Sequence, residues 1–394
     1  MGRVARIGGA TLALVLACPS PARGADAAET DDGLSAFPPA ATIQPDKPGV
    51  ADRLYPKAAS GFILVNGNFQ SVPSAVARSQ ADYGVSTVVG VSASGHPWEA
   101  WDYLGYVTAS IGADAVNGAS GSFSPEQITI SYHPTKSVTL AGGYLRIPFS
   151  IGQAAVIANS LFPTRPEPTG VFQGGADAGV LATYESPESR LRVKAGLFDG
   201  VSLLSTVPLA TTRGPVLAAY TELAPLGAMS PLEGDFKGSP FRFALTGGVV
   251  YRRGSVYRTD GFQGTSFDDV RLALSLRIAV KGFYAQGEYL QDANHGRLDV
   301  HDRVARGAYG EASYHVLVGE KLGLSPLTRV GWSVQDAEFF PLHIVTAHAG
   351  LALYPRGDLA QRGGVRLVLE YLSERHIEEG ETAYGGLASI LARF

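Results

Sequence analysis

The sequence lacks several features of disulfide-rich proteins and of helical membrane proteins. Among its 394 residues there is one cysteine, Cys18, and there are two methionines. A lone cysteine excludes a disulfide within the chain and a cysteine-based metal site. No segment approaches the roughly 18 consecutive apolar residues that a membrane-spanning helix requires, and long segments with a 3.6-residue period are also missing. If the chain lies in a membrane, it must cross it with strands.

The charge and composition narrow the class further. The formal net charge is −4 and the mean hydropathy is +0.07, so the sequence shows no basic surplus that would favour nucleic-acid binding. The 48 glycines and the scarcity of helical patterns favour one large all-β domain over two soluble domains.

The clearest positive signal is an alternating segment at residues 270–280, which reads V-R-L-A-L-S-L-R-I-A-V. Its apolar residues fall on one face of a strand, and Arg271, Ser275 and Arg277 fall on the other. Similar segments of about ten residues recur to the end of the chain. This repetition is typical of a transmembrane β-barrel in an outer membrane.

The N-terminal residues are predicted to be an export signal. Arg3 and Arg6 precede an apolar run at residues 7–17, and the small residues around Gly24 suit a cleavage site. The prediction is a signal peptide at residues 1–24 and a flexible periplasmic lead-in at 25–57, with the barrel at 58–394. Cys18 at the end of the apolar run leaves open a lipoprotein-type signal.

Sixteen strands are predicted from residue 60 onward, with both chain ends on the periplasmic side and tight turns there. Residues 94–97 and 134–136 are two of the predicted turns. The predicted long outer connections are residues 151–177, 199–214, 252–269 and 291–305. The first is expected to fold inward and narrow the lumen, with Phe162 and Arg165 as its constriction residues.

The last strand ends in an aromatic residue, Phe394, which continues an alternating face. This ending resembles the signal that outer-membrane barrels present to the barrel assembly machinery, although Ala392 is smaller than usual at its position. Phe394 is therefore the predicted assembly signal.

Because the apolar face of each strand is assigned to lipid, the opposite face should line the lumen. The resulting pore-lining residues are mainly cations and outnumber the lumen carboxylates, which favours the passage of anions. A structural role, pairing with carboxylates, is the alternative. The predicted pore-lining residues are Arg190, Arg192, Lys194, Arg242, Arg271, Arg277, Arg329, Arg366 and His348.

One region resembles the phosphate-selective porin family. The similar segments are residues 142–149 (G-G-Y-L-R-I-P-F), 159–165, 169–171, Tyr184 and 191–200 (L-R-V-K-A-G-L-F-D-G). The resemblance implies a 16-stranded trimeric porin whose lumen cations guide anions. It does not imply phosphate specificity, because the matching motifs are strand ends and a loop. Arg146 shares a face with Val138 and Leu140, which favours an interfacial anchor over a lumen position.

Other candidate sites are weaker. Asp292, His295, Asp299, His301 and Asp302 are irregularly spaced, which favours a solvated outer loop over a metal site. Ser333 and His348 are the conceivable partners of a barrel-borne hydrolase.

The sequence predicts an all-β, 16-stranded antiparallel transmembrane barrel that lets small hydrophilic, anionic solutes diffuse passively, with no enzymatic activity, cofactor or metal. Its expected partners are outer-membrane lipid, the assembly machinery and two further copies of the chain. A barrel hydrolase and a structural or adhesive barrel with a plugged lumen are the alternatives.

Overall fold

The computed structural model describes most of the chain from residue 56 onward. The described residues are 56–72, 80–114, 118–154, 159–172, 175–200, 210–230, 233–236, 238–258, 266–296, 303–319, 322–335, 342–355, 364–378 and 380–393. The predicted signal peptide, nearly all of the lead-in and Phe394 lie outside them.

The described chain is almost entirely antiparallel sheet. Each strand pairs with its neighbours in sequence, and β1 also pairs with β18 through partners such as Val65 and Ile390, which closes the barrel. The strands are β1 (Ala58–Val72), β2 (Gln80–Trp98), β3 (Trp101–Asp114), β4 (Gly118–Thr135), β5 (Val138–Arg146), β6 (Ala176–Glu185), β7 (Leu191–Phe198), β8 (Ala210–Arg213), β9 (Val216–Leu223), β10 (Arg242–Arg258), β11 (Ser266–Val280), β12 (Phe283–Gly296), β13 (Arg303–Tyr314), β14 (Val316–Val318), β15 (Leu322–Gln335), β16 (Leu342–Pro355), β17 (Val365–His376) and β18 (Glu381–Arg393).

These eighteen segments form sixteen barrel strands, because two strands are interrupted. β8 and β9 pair with β10 in one continuous register, and Pro215 lies between them. β13 and β14 likewise share a register against β15, and the break falls opposite Pro326. Proline has no N–H group to donate to a ladder, which accounts for both interruptions. The prediction of a closed 16-stranded barrel is confirmed.

The predicted turns and connections need correction in detail. Residues 94–97 lie within β2, where the pairing shifts register around Gly95 and Trp98, and the turn follows at Glu99 and Ala100. β10 ends at Arg258 and β11 begins at Ser266, so the connection between them is shorter than the predicted residues 252–269. A register shift lets a strand keep its pairing through proline and charged residues. The alternation of apolar and polar residues therefore does not show where such a strand ends.

Side chains alternate between the two surfaces of the barrel. In β9, the inward residues Val216, Ala218, Tyr220 and Glu222 are buried, whereas the outward residues, such as Leu217, are exposed. The outward face carries large apolar residues, including Leu274 and Leu369. An apolar outer band with a polar inner face is the pattern of a barrel that faces lipid.

Among the described residues there are two short helices, α1 (Ile151–Ala154) and α2 (Glu167–Val171), both between β5 and β6. Among the described residues, no helix is long and apolar enough to cross a membrane.

Candidate functional site: the constricted lumen

The connection between β5 and β6, residues 147–175, folds into the barrel and is called here the constriction loop. Its first part is held by Glu288 of β12. The Glu288 carboxylate accepts hydrogen bonds from the Ser150 hydroxyl at 3.0 Å and from the backbone amides of Ile151 and Gly152 at 2.9 and 3.3 Å. Tyr309 donates a fourth at 3.1 Å. This buried carboxylate is therefore fully used in anchoring the loop to the barrel wall.

The middle of the loop is anchored by two arginines of the wall. Arg329 of β15 pairs with Glu311 at 2.8 Å and donates to the carbonyl oxygen of Thr164 at 2.9 Å, and its guanidinium lies 4.1 Å from the centroid of the Phe162 ring. Arg366 of β17 donates to the carbonyl oxygen of Ser160. Phe162 is wholly buried among these groups. These contacts place the loop against the inner face of the barrel wall, and its narrowing of the lumen stays a prediction.

A second segment enters the lumen from the other end of the barrel. The lower end is defined as the end with the tight turns, where β1 begins and β18 ends. Residues 224–241, called the lower segment, connect β9 to β10 there, and Ala224 and Met229 pack with Leu161 and Phe162 in one apolar cluster. Arg242 donates to the carbonyl oxygen of Ala228 at 3.0 Å. The two loops together fill the side of the lumen next to β9–β17.

The opposite wall, formed by β1–β4, is exposed on its inner face near the upper end, where Asn68, Ser120 and Ser122 are polar and exposed. Further down the same strands, Phe62, Leu64 and Tyr106 form a buried apolar cluster. Ser110 and Ser122 are hydrogen-bonded to each other at 2.7 Å. Inward residues of the filled wall, such as Ser333 at 0% and Thr346 at 2% exposure, contrast with them. Water and solutes therefore have room along the upper part of β1–β4.

Charged groups meet where the constriction loop faces this open wall. Arg146 of β5 donates to Glu126 of β4 at 2.8 Å, and its guanidinium lies 5.8 Å from the centroid of the inward ring of Tyr106. Thr108 also donates to Glu126, at 3.0 Å. Arg165 of the loop interacts electrostatically with Arg146, Glu126 and Tyr106. We call these groups the eyelet cluster: two guanidiniums and one carboxylate beside the open wall.

The position of Arg146 corrects the sequence interpretation that placed it at the membrane interface. The β3–β4 register shifts beside Tyr106, where Glu126 is the extra residue of β4. Such a bulge re-aims side chains, and Arg146 at the end of β5 follows Glu126 towards the lumen. Burial, followed by the neighbouring Arg146, holds the pKa of Arg165 below its ordinary value.

Most of the predicted pore-lining cations face inward but are paired. Arg192 binds Glu185 at 3.0 Å, Arg277 binds Glu222 at 2.8 Å, and Arg271 binds Asp269 at 2.9 Å. Lys194 lies 5.9 Å from the centroid of the Tyr220 ring. Paired cations contribute less net field to a pore than isolated ones, because a carboxylate cancels part of each charge. Arg242, Arg329 and Arg366 anchor the loops, as described above.

Two predicted residues occupy other environments. Arg190 lies in the turn before β7, where it is largely exposed and paired with Glu188 at 2.6 Å. His348 is buried, hydrogen-bonded to Glu370, and packed edge-on against Phe162 at 6.0 Å between ring centroids.

The hydrolase pairing of Ser333 with His348 is not formed. Arg329 is the residue of β15 that faces His348, and Ser333 pairs with Ile344. Four residues along a strand separate Ser333 from that level, about 13 Å, and Ser333 is fully buried. Within the described part of the chain no cluster of His, Cys, Asp or Glu could hold a metal ion. Asp299, His301 and Asp302 lie outside the described residues.

Sequence reasoning missed Glu126 and Glu233. It identified Glu288 as a lumen carboxylate on an alternating strand, but nothing in the sequence linked that residue to the loop. Glu126 is hidden by the bulge, and Glu233 lies in a connection with no periodicity.

Comparison with solved structures supports this architecture. The chain is similar to an anion-selective porin of Comamonas acidovorans (12% identity, TM-score 0.57, covering 86% of this chain and 99% of that one). It is also similar to the outer membrane channel DcaP of Acinetobacter baumannii (12% identity, TM-score 0.53, covering 85% of this chain and 96% of that one). A third similar structure is the trimer form of OmpT, an outer membrane protein of Vibrio cholerae (11% identity, TM-score 0.53, covering 86% of this chain and 99% of that one). No protein-family model and no curated sequence matches. These likenesses establish the fold, which is that of the outer-membrane porin barrels.

Proposed function

We propose that the protein is an outer-membrane diffusion channel for small hydrophilic solutes, with a preference for anions. The observation that carries this proposal is the polar upper part of the β1–β4 wall, whose inward residues Asn68, Ser120 and Ser122 stay exposed although the constriction loop fills the other side. A passage lined by hydroxyl and amide groups keeps solutes hydrated and requires no covalent step.

The anion preference is inferred from the eyelet cluster. Arg146 and Arg165 lie beside Glu126, and Arg165 also interacts with Glu233. Burial raises the pKa of Glu233 to about 8, so this carboxyl is largely protonated at neutral pH and the positive charge of the cluster exceeds the negative charge. A surplus charge beside a narrow passage with low-dielectric walls raises the local concentration of ions of opposite sign. The comparison with a porin described as anion-selective is consistent with this inference. The segments that resemble phosphate-selective porins leave the identity of the anion open.

A homotrimer in the outer membrane is the assembly we propose, since a similar structure is described as a trimer form. The exposed apolar residues of the outer face would contact lipid or neighbouring copies. Export by residues 1–24 and recognition of Phe394 by the assembly machinery remain part of the proposal. Outer-membrane yield after deletion of Phe394 tests the assembly signal; an unchanged yield would contradict it.

The decisive experiment is reconstitution of detergent-folded protein in a planar lipid bilayer. Discrete conductance steps are expected, together with a reversal potential of anion-selective sign under a salt gradient that weakens as the salt concentration rises. Heat-unfolded protein is the control. Absence of conductance would favour a structural barrel with a plugged lumen, and a cation-selective sign would refute the anion preference alone.

A further inference from the structure

Two histidines and one aspartate form a hydrogen-bonded network at the lower end of the β1–β4 wall. The Asp102 carboxylate of β3 binds Nδ1 of His96, near the end of β2, through one oxygen. Its other oxygen lies 2.7 Å from Nε2 of His133 on β4. Nδ1 of His133 lies 3.1 Å from the hydroxyl oxygen of Thr139 on β5. The network therefore spans four neighbouring strands.

This network faces the opening of the lumen at the lower end, called here the lower mouth. Asp102 shares the inward face of β3 with Tyr106, and His133 shares the inward face of β4 with the buried Ser131. The side chain of His96 is 65% exposed, and those of His133 and Asp102 are 29% and 24% exposed. Water and protons therefore reach the network, and an ion that crosses the lumen must leave through the mouth beside it.

The hydrogen bonds define where the protons lie near neutral pH. An ionised carboxylate can only accept, so Nδ1 of His96 and Nε2 of His133 carry the hydrogens that bind Asp102. Nδ1 of His133 then accepts from the Thr139 hydroxyl, which can also act as an acceptor if that nitrogen gains a proton. The remaining nitrogen of His96 belongs to a largely exposed ring. Both imidazoles can therefore take up a second proton without losing a hydrogen bond to Asp102 or Thr139.

Other charged side chains surround the network at this end of the barrel. Lysine and arginine keep their charge between pH 5 and pH 8, whereas histidine ordinarily gains one over this range. The charged residues on the neighbouring elements are Lys57 at the start of β1, Glu99 and Lys136 in the adjoining turns, Lys194 on β7, and the ion pair of Arg192 with Glu185.

We propose that His96, Asp102 and His133 form a second selectivity site at the lower mouth, which makes the channel more selective for anions as the pH falls. With both rings neutral the network carries the single negative charge of Asp102, and with both rings protonated it carries one net positive charge. The inference rests on the proposed channel function and adds a pH-dependent site at the end of the passage opposite to the eyelet cluster.

The test is the reversal potential of the wild type under a salt gradient kept near 0.01 M, measured at pH 7.5 and at pH 5 on both sides of the bilayer. Two unit charges roughly 10 Å from a permeating ion change its occupancy about threefold at this salt concentration, and they act on cations in the opposite sense. The anion-to-cation permeability ratio should therefore rise about sevenfold between pH 7.5 and pH 5.

His96→Gln combined with His133→Gln removes both titrating rings and should lose most of this response. The matched control is His343→Gln combined with His376→Gln. These rings also have carboxylate partners, Glu378 at 2.8 Å and Glu374 at 2.7 Å, but they lie at the upper end on β16 and β17. The control should keep the response. Glu233 is present in all these variants, so its own titration contributes equally to each.

Asp102→Asn separates a selectivity role from a structural one. It removes a fixed negative charge from the lower mouth, so it should raise the permeability ratio already at pH 7.5, whereas a purely structural aspartate would leave the ratio unchanged. If the double histidine variant does not assemble, His96→Gln alone replaces it, because this ring is largely exposed, and it should lose about half of the response on a logarithmic scale.

The outcomes distinguish this site from the channel itself. A permeability ratio that stays constant between pH 7.5 and pH 5, or a full response that persists without His96 and His133, overturns the second site and leaves the channel function intact. Absence of conductance at both pH values refutes the channel function, and the second site with it.

Discussion

Arg329 and Glu311 form an ion pair of 2.8 Å in which each side chain is only 1% exposed. Arg329 lies on β15 and Glu311 on β13, and the barrel register places them directly opposite each other. The same guanidinium holds Thr164 and Phe162 of the constriction loop. One buried charge pair therefore links two strands of the barrel wall to the loop.

Removing one member of this pair should destabilise the barrel strongly. Arg329→Met leaves Glu311 buried without its cation, which costs about 3–5 kcal/mol. The midpoint of urea unfolding, followed by the shift in gel mobility, measures the loss. Arg190→Met, at the exposed pair with Glu188, should change stability by less than about 1 kcal/mol. A double variant, Arg329→Met with Glu311→Leu, should recover part of the loss. Equal stability of Arg329→Met, Arg190→Met and the double variant would show that the buried pair contributes no more than an exposed one.

A pair of adjacent glycines tests how closely the loop approaches the wall. A Cβ atom at Gly248, which faces inward, would lie 1.9 Å from the Phe149 carbonyl oxygen. Gly248→Ala should therefore displace the start of the constriction loop and cost about 1–3 kcal/mol. At the outward Gly247 the nearest atom lies 3.7 Å away, so Gly247→Ala is the control. Similar unfolding midpoints and conductances for the two variants would show that the approach is not as tight as this.

Glu288 should be essential for holding α1. Glu288→Ala leaves the amides of Ile151 and Gly152 buried without an acceptor, at about 1–3 kcal/mol each. Increased current noise and faster hydrogen exchange at these amides are expected. Tyr309→Phe removes one of the four donors and should have a much smaller effect. If both variants behave alike, the carboxylate does not anchor the loop.

The sixteen strands could be predicted because a barrel wall has lipid on one side, which imposes a two-residue period on the sequence. The pairing of the lumen cations with carboxylates could not be predicted in this way. Arg277 on β11 meets Glu222 on β9 across an intervening strand, and this contact depends on the register and not on local sequence. The two-residue alternation of inward side chains is interrupted where a bulge adds a residue to a strand, as at Glu126.

The path of the loops could not be predicted in full from the sequence either. Residues 151–177 were predicted to fold inward because of their length, and Phe162 does lie in the lumen. The lower segment gave no such signal, because its residues follow no alternating pattern. Its entry into the lumen depends on contacts such as Leu161 with Glu233, which join residues distant in the chain.

The eyelet cluster gives the sharpest test of selectivity, because its members have opposite charges beside the same passage. A unit charge about 7 Å from a permeating ion contributes about 0.6 kcal/mol in water, or a threefold change in ion occupancy. The same charge acts on cations in the opposite sense, so Arg165→Gln should lower the anion-to-cation permeability ratio about sevenfold, and Glu126→Gln should raise it by a similar factor. The reversal potential under a salt gradient measures both.

A charge-neutral control distinguishes this cluster from the paired cations. Arg277→Gln combined with Glu222→Gln removes both members of an ion pair, so the permeability ratio should stay near that of the wild type. Both single changes in the eyelet should also lose their effect at 1 M salt, where the screening length falls to about 3 Å. If Arg165→Gln and Glu126→Gln shift the ratio in the same direction, the eyelet cluster does not set the selectivity, because fixed charges of opposite sign must act oppositely on one permeating ion.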